Sequence, residues 1–431
     1  MHTPHVQLSS RLWPLLGAIP LLVQVLWPSR AWVVLLIILG GGWACAYFWA
    51  RSLARSLQIK REMRFGWAQV GDRLEERFTL TNSGWAPALW IEFKDKSTLP
   101  DYRVSRVTGI GSYAQLQWKV ERTCTRRGLY TLGPAVLRTA DPLGIYGVEL
   151  PVPDATILMV MPPVVSLPSI QVAPGGRVGE GRRPRRQALE TTVSVETVRP
   201  YVPGEAQKAI HWPTTARRGE LFLRQFEHTP SSDWWIFLDL ESGVQVGHGF
   251  DSTEEHGVIL AASLADMGLR QGHAVGLAVN SRQPVWLPPR HSAGQRMDIL
   301  RALALVESGE HSLEKLLFSQ KFGLRNKGSL ILVTPNVAGD WLKPLTQMQR
   351  TGITPTVILL DPVSFGGHAS PDQLLQTLTR NSVDATVVTR DLLDRPEARP
   401  GTQGRWEWRI LRHGKAIPVR RPSDLRWKKL G

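Results

Sequence analysis

Two cysteines in 431 residues are too few for a disulfide framework, and their placement does not suggest a pair. Cys45 lies inside an apolar run, and Cys124 lies far downstream beside a basic cluster. No CxxC pair and no Cys/His set at ligand spacing occurs, which argues against a structural zinc site and fits a reducing compartment. Acidic residues are also scarce: 37 Asp and Glu face 52 Lys and Arg, a net charge of +15. The catalytic fingerprints that carry their own mechanics are missing as well. There is no GxSxG elbow, no HExxH, no phosphate loop of the GxxxxGK[ST] type and no dinucleotide-binding glycine pattern. Apolar residues are not scarce. At 42% of the chain they exclude disorder as a whole, and the length allows two or three domains.

What is present first is membrane-like. Residues 12–28 carry no charge, and neither do residues 31–50, with only Ser29 and Arg30 between them. The second run is about the ~20 residues needed to cross a hydrocarbon core. The first is shorter and holds Pro14 and Pro20. No small-residue cleavage site follows an early apolar core, so two transmembrane helices in a hairpin are expected rather than a signal peptide. Trp13, Trp27, Trp32, Trp43 and Trp49 fall in these fifty residues, and Trp favours membrane–water interfaces. Arg51, Arg55, Lys60, Arg61 and Arg64 crowd the exit of the second run, opposed only by Glu62. Such cations are retained on the cytoplasmic side, so both termini and the soluble domains are expected there.

Residues 51–165 are expected to form a β domain, since from about Arg64 to Met161 the apolar period is two. Leu74, Phe78 and Leu80 alternate with Glu75, Arg77 and Thr79; Leu89, Ile91 and Phe93 alternate with Trp90, Glu92 and Lys94; Ala114, Leu116, Trp118 and Val120 continue the pattern. Strict alternation predicts strands with one buried face, and a small antiparallel sandwich follows. Asn82-Ser83-Gly84, Thr108-Gly109 and Arg127-Gly128 supply turn chemistry. Within this region Arg126-Arg127-Gly128-Leu129-Tyr130-Thr131-Leu132-Gly133-Pro134 is followed by Asp141-Pro142-Leu143-Gly144. Asp-Pro opens a turn and the glycines admit backbone angles closed to other residues, so a rigid β corner is the plain reading.

Residues 166–230 hold a basic linker and a denser motif. The linker, residues 174–187, has five arginines and no apolar face. The motif runs Arg199-Pro200-Tyr201, Gly204-Glu205, Lys208, Ile210-His211-Trp212 and Ala216-Arg217, continuing to Glu227. Its alternating charges and aromatics suit a segment docked against a neighbouring domain, with Trp212 buried and Arg217 or Glu205 in a buried ion pair. His211 with Glu205 as orienting partner would be the catalytic alternative, for which no nucleophile is evident.

This motif, with the earlier Arg-Arg-Gly…Gly-Pro and Asp-Pro segments, resembles the bacterial family known as domain of unknown function 58, over about residues 120–310. In that family an Arg-x-Tyr, a Gly-Asp, an Ile-x-Trp and an Ala-Arg recur at these spacings. Glu205 stands here where Asp is usual, Lys208 where Arg is usual, and His211 where an acidic or amide residue is common.

From 231 to 400, short apolar runs alternate with helical patterns, predicting a mostly parallel α/β sheet. The runs are 234–239, 273–279, 329–334, 356–361 and 385–389; helices are expected over 252–272, where Ser252 and Glu255 form a capping box, and over 295–307 and 340–350. The arrangement resembles a von Willebrand factor A-like domain, and the resemblance implies a divalent-metal motif Asp-x-Ser-x-Ser with a later Thr and Asp. Here that motif is degenerate. Asp239, Glu241 and Ser242 are followed by Gly243, and Asn336 follows Thr334 where an acid is expected, so neither metal nor cofactor is anticipated. Residues 401–431 form a final strand around Trp406 and Trp408 and a basic tail suited to an anionic leaflet.

The expected function is a non-catalytic binding or assembly platform in the inner membrane. The family resemblance implies a MoxR-type AAA+ ATPase and a transglutaminase-like membrane protein as partners. A hydrolase using the His211 region and a basic nucleic-acid-binding membrane protein remain as alternatives. Against the latter, the cations cluster near the membrane, in the linker and in the tail, and no nucleic-acid module appears.

Overall fold

The alternation over residues 73–82 becomes the strand Arg73–Asn82, in which every second side chain from Leu74 to Asn82 is buried. The structure, a computed structural model, describes residues 5–9, 12–63, 66–165, 167, 170–173, 195–200, 212–226, 233–292, 294–319, 328–390, 407–410, 416–420 and 428–429. The linker at 174–187 and the centre of the motif, 201–211, lie outside these residues, as do Trp406 and most of the tail. The chain divides into two units, Met1–Pro163 with Leu300–Leu305 and Asp394–Gly431, and Val164–Ile299 with Val306–Leu393.

The first unit is mainly antiparallel β. One sheet runs His5–Leu8, Tyr146–Val152, Ala135–Ala140, Ala88–Asp95, Arg106–Ile110; another runs Lys428–Lys429, Leu57–Met63, Arg73–Asn82, Gln115–Thr123. A third places Thr156–Met161 between Gly128–Leu132, antiparallel, and Trp67–Gln69, parallel. Phe78, Phe93 and Trp118 meet in the core, with Phe78 stacked on Trp118 at 5.3 Å. Two details depart from the sequence reading. Thr108 and Gly109 lie inside a strand rather than at a turn. A bulge between Ala88 and Ile91 turns both Leu89 and Trp90 outward, so Leu89 is 63% exposed where alternation buries it.

Arg61, which the sequence places among the membrane-exit cations, departs from that reading too. Its side chain is buried. Nε and Nη2 donate to the two Glu76 carboxylate oxygens at 2.9 and 2.8 Å, and Nη1 donates to Asp95 Oδ1 at 3.0 Å. Ser97 Oγ, 3.3 Å from Nη2, also accepts from the Gly133 N–H. This explains the Gly-Pro of the β corner. Gly133 has φ +89°, and a Cβ there would stand 2.5 Å from the Asp154 carbonyl oxygen. Gly133→Ala is therefore expected to lower stability by about 1–2 kcal/mol from backbone conformation alone, with the clash in addition, measured by chemical denaturation.

Two N-terminal helices lie between the strand His5–Leu8 and the remaining strands of the first unit. Leu12–Leu26 is short and apolar; Arg30–Ser56 is long and apolar enough to cross a membrane, and it passes directly into the strand Leu57–Met63.

The second unit carries a six-stranded mixed sheet in the order Val285–Arg290, Val275–Val279, Asp233–Leu238, Gly328–Thr334, Thr354–Leu360, Asp384–Val388. Five strands are parallel, and the edge strand Val285–Arg290 is antiparallel. The central strands are buried along their length, as a sheet covered on both faces requires. Helix Thr253–Arg270 begins at the expected cap, where Ser252 Oγ accepts from the Glu255 N–H at 3.2 Å. The runs at 295–307 and 340–350 become Gln295–Leu305 and Leu342–Arg350.

A candidate site at the carboxyl edge of the parallel sheet

Open parallel sheets place their loops, and their ligands, beyond the carboxyl ends of the strands. Asp239 follows strand Asp233–Leu238 there and is 1% exposed. Thr334 ends the neighbouring strand and donates its hydroxyl to Asp239 Oδ2 at 2.6 Å. Asn280, just past Val275–Val279, donates its amide to Oδ1 at 2.8 Å, and the Glu241 N–H donates to the same oxygen at 3.1 Å. Burial pushes the Asp239 carboxyl above the ordinary aspartate range against these bonds.

The same network ties the loops together. Asn280 Oδ1 accepts from the Leu240 N–H at 2.6 Å, and its amide also donates to the His311 carbonyl at 2.8 Å. Gln245 donates to the Asp239 carbonyl and accepts from Thr253. Asn336 donates its N–H to Thr334 Oγ1 and its amide to Asp340, while its own carbonyl receives the indole N–H of the fully buried Trp341. Four loops are thus held around one carboxylate.

Of the degenerate metal motif, the structure brings Asp239 and Glu241 together and sets Ser242 in the adjoining single turn Ser242–Val244. The donor set does not fit a divalent cation. Asp239 Oδ1 accepts two N–H donors and Oδ2 accepts the Thr334 hydroxyl, and no three acidic, His or Cys side chains are grouped to hold a metal among the described residues. Glu241 offers one water-shielded oxygen, Oε2, and its carboxyl is raised first by burial and then by Asp239. Millimolar Mg²⁺ or Mn²⁺ is expected to leave the melting temperature of the detergent-solubilised chain unchanged. A native-state ligand would stabilise by about 2.7 kcal/mol at a hundredfold excess over its Kd, so a dose-dependent rise lost in Asp239→Ala would overturn this.

Asn280 was not evident as a site residue from sequence. The available signal was its place directly after an apolar run, at the same sheet edge as Asp239.

The motif at 199–227 is seen at its two ends. Strands Val195–Pro200 and Phe222–Phe226 pair antiparallel, setting Arg199 opposite Leu223, and helix Trp212–Arg218 leads into the second strand. Tyr201, Gly204, Glu205, Ile210 and His211 lie outside the described residues. Trp212 is 64% exposed, and Ala216 and Arg217 are exposed too, which corrects the expectation of a buried Trp212 and a buried Arg217 ion pair. The physical reason is that this two-turn helix holds on through Thr215, whose hydroxyl accepts from the Phe222 N–H at 3.1 Å, and through buried Phe222. Trp212 is left facing water.

Residues 197–364 match the family described as Protein of unknown function DUF58. The chain is 26% identical over 268 residues to the Uncharacterized protein YeaD of Bacillus subtilis, covering 58% of this chain and 63% of that relative's length. Similar solved structures include the CARDB domain of the PF1109 protein from Pyrococcus furiosus, 11% identical over 24% of this chain and 94% of that one, with a TM-score of 0.18. Proximal thread matrix protein 1 from the mussel byssus is 14% identical over 37% of this chain and 44% of that one, with a TM-score of 0.27. At these scores neither likeness bears on the fold.

Proposed function

We propose that this chain, whose residues 197–364 match the DUF58 family, is a membrane-anchored, non-catalytic platform on which other proteins assemble. It works with a MoxR-type AAA+ ATPase in a chaperone or maturation system, beside a transglutaminase-like membrane protein. The observation that carries this reading is the loop cluster around Asp239. A carboxylate spent on orienting four loops is poorly placed to react, whereas loops fixed in advance lose little freedom on docking. The alternating strands and helices of the second unit support a von Willebrand factor A-like domain, and the sheets of the first support an Ig-like sandwich.

Helix Arg30–Ser56 supports the anchor, and Leu12–Leu26 completes a hairpin that makes the protein multi-pass. Both termini and the soluble units lie in the cytoplasm of a bacterial inner membrane, because exposed Arg51, Arg55 and Lys60 follow the apolar span. Withdrawing Arg61 from this group leaves the bias intact.

Co-expressed with the MoxR-type ATPase of the same genome and solubilised in detergent, the chain is expected to retain that ATPase on affinity capture. Reporters at the N-terminus and after Gly431 are expected to register the cytoplasm. A periplasmic carboxyl-terminal reporter would overturn both the orientation and the partnership. A hydrolytic activity abolished by His211→Ala in a normally folded chain would replace the platform with an enzyme.

A further inference from the structure

The first unit does not stand clear of helix Arg30–Ser56; it flanks the helix for much of its length. Ser56 Oγ is 2.9 Å from Asn82 Oδ1 at the top. Below it, Trp49 packs edge-on against Trp85 with centroids 5.3 Å apart and donates its indole N–H to the Pro87 carbonyl at 3.1 Å. Lower still, Tyr47 meets Tyr146 at 5.6 Å, and a methyl group built on Gly42 would stand 4.0 Å from Leu143 Cδ1.

These levels can be set against a bilayer. From Arg30 to Gly42 the helix rises about 18 Å at about 1.5 Å per residue, and a hydrocarbon core is about 30 Å thick. The missing ~12 Å carry the core on to about Ala50, and the next residue, Arg51, is the first cation after Arg30. Leu143 therefore lies below the level at which the hydrocarbon ends.

We propose that the turn at 141–144 inserts into the upper acyl region of the phospholipid bilayer beside the helix, with Leu89, Trp90, Trp85 and Tyr113 forming an interfacial rim above it. The proposal rests on the membrane-anchored reading. The turn is built for such a place. Leu143 at its apex is 58% exposed, and Pro142 has no N–H to satisfy. The Asp141 carboxylate is buried and accepts from the N–H groups of Leu143 at 2.8 Å and Tyr146 at 2.6 Å, while its carbonyl accepts from Gly144 at 3.0 Å. With its N–H groups satisfied internally, this turn gives up less on leaving water than an open loop would. The rim follows from the bulge: Leu89 and Trp90 turn outward next to this turn, since the Trp90 carbonyl accepts from Thr139 Oγ1 at 2.6 Å; Trp85 is exposed against Trp49, and exposed Tyr113 donates its N–H to the Gly84 carbonyl beside Trp85 at 3.1 Å. Exposed aromatics at that height are what a bilayer interface accommodates.

The test uses the full chain with Cys45→Ala in phosphatidylcholine–phosphatidylglycerol vesicles. Cys124 is buried and its thiol is pushed up to about 12, so it takes no label. Leu143→Cys and, for comparison, Arg103→Cys are labelled with an environment-sensitive fluorophore; exposed Arg103 lies beyond the far end of strand Ala88–Asp95. The label at 143 is expected to emit blue-shifted and to lose its fluorescence to doxyl groups on the upper acyl chain, while the label at 103 is unaffected. A chain that resists alkaline carbonate extraction, yet whose label at 143 behaves like that at 103, overturns the insertion and leaves the anchor standing. Release by carbonate overturns the anchor itself.

Discussion

Arg61→Met is expected to lower the stability of the chain by about 3–5 kcal/mol at neutral pH, because it strands two buried carboxylates. Glu76 is fully buried and Asp95 nearly so, and Arg61 supplies three of their bonds. Burial already raises the Glu76 carboxyl above its ordinary value of 4.5, with Arg61 opposing the rise. Removing the guanidinium widens that gap. An acid whose native pKa is raised binds its proton more tightly when folded, so its contribution is most favourable below 4.5 and declines as pH rises through the native value. The deficit of Arg61→Met should therefore be large at pH 7 and shrink toward pH 4.5. Adding Glu76→Met should recover part of it, since a methionine pair needs no counter-charge. Urea denaturation followed by circular dichroism at several pH values checks both. A deficit independent of pH would mean that lost packing against Phe78, whose ring centroid lies 5.2 Å from the guanidinium, is the larger effect.

Asp239→Ala is expected to cost about 3 kcal/mol or more, as three donors lose one acceptor and each buried orphan costs about 1–3 kcal/mol. Asp239→Asn should be much milder. Its carbonyl can still accept from Asn280 and Glu241, and Thr334 Oγ1 can turn from donor to acceptor. Because the native carboxyl is raised above 3.8, the parent loses stability as pH rises from that value, and Asp239→Asn removes this slope. The amide variant should thus gain on the parent between acid and neutral pH. If both substitutions melt alike at every pH, the loops are not held by this carboxylate, and the platform loses its chief support.

The two cases show where sequence is legible. Periodicity gave the inward face of Arg73–Asn82, and a local cap gave the start of Thr253–Arg270, because both signals sit within a few residues. Arg61 looked like one more cation after a membrane span. Its partners lie 15 and 34 residues away, on strands whose register the local pattern does not encode. Asn280 is likewise 41 residues from Asp239 and meets it only because two parallel strands end together. The edge strand Val285–Arg290 was hidden by Pro288 and Pro289, which a central strand would exclude and an edge tolerates. Leu89 broke the alternation through a bulge, and Trp212 faces water because its helix is too short to bury both sides.

The passage from helix Arg30–Ser56 into strand Leu57–Met63 contains no linker, and Ser56 braces it against Asn82 and the carbonyl of Ser52. Helix and sheet therefore turn as a single lever. Helices longer than the local hydrocarbon thickness relieve the mismatch by tilting. On the membrane-anchored reading proposed above, a change in bilayer thickness would swing the sheet that continues from this helix about the bilayer plane, making its attitude a readout of lipid composition.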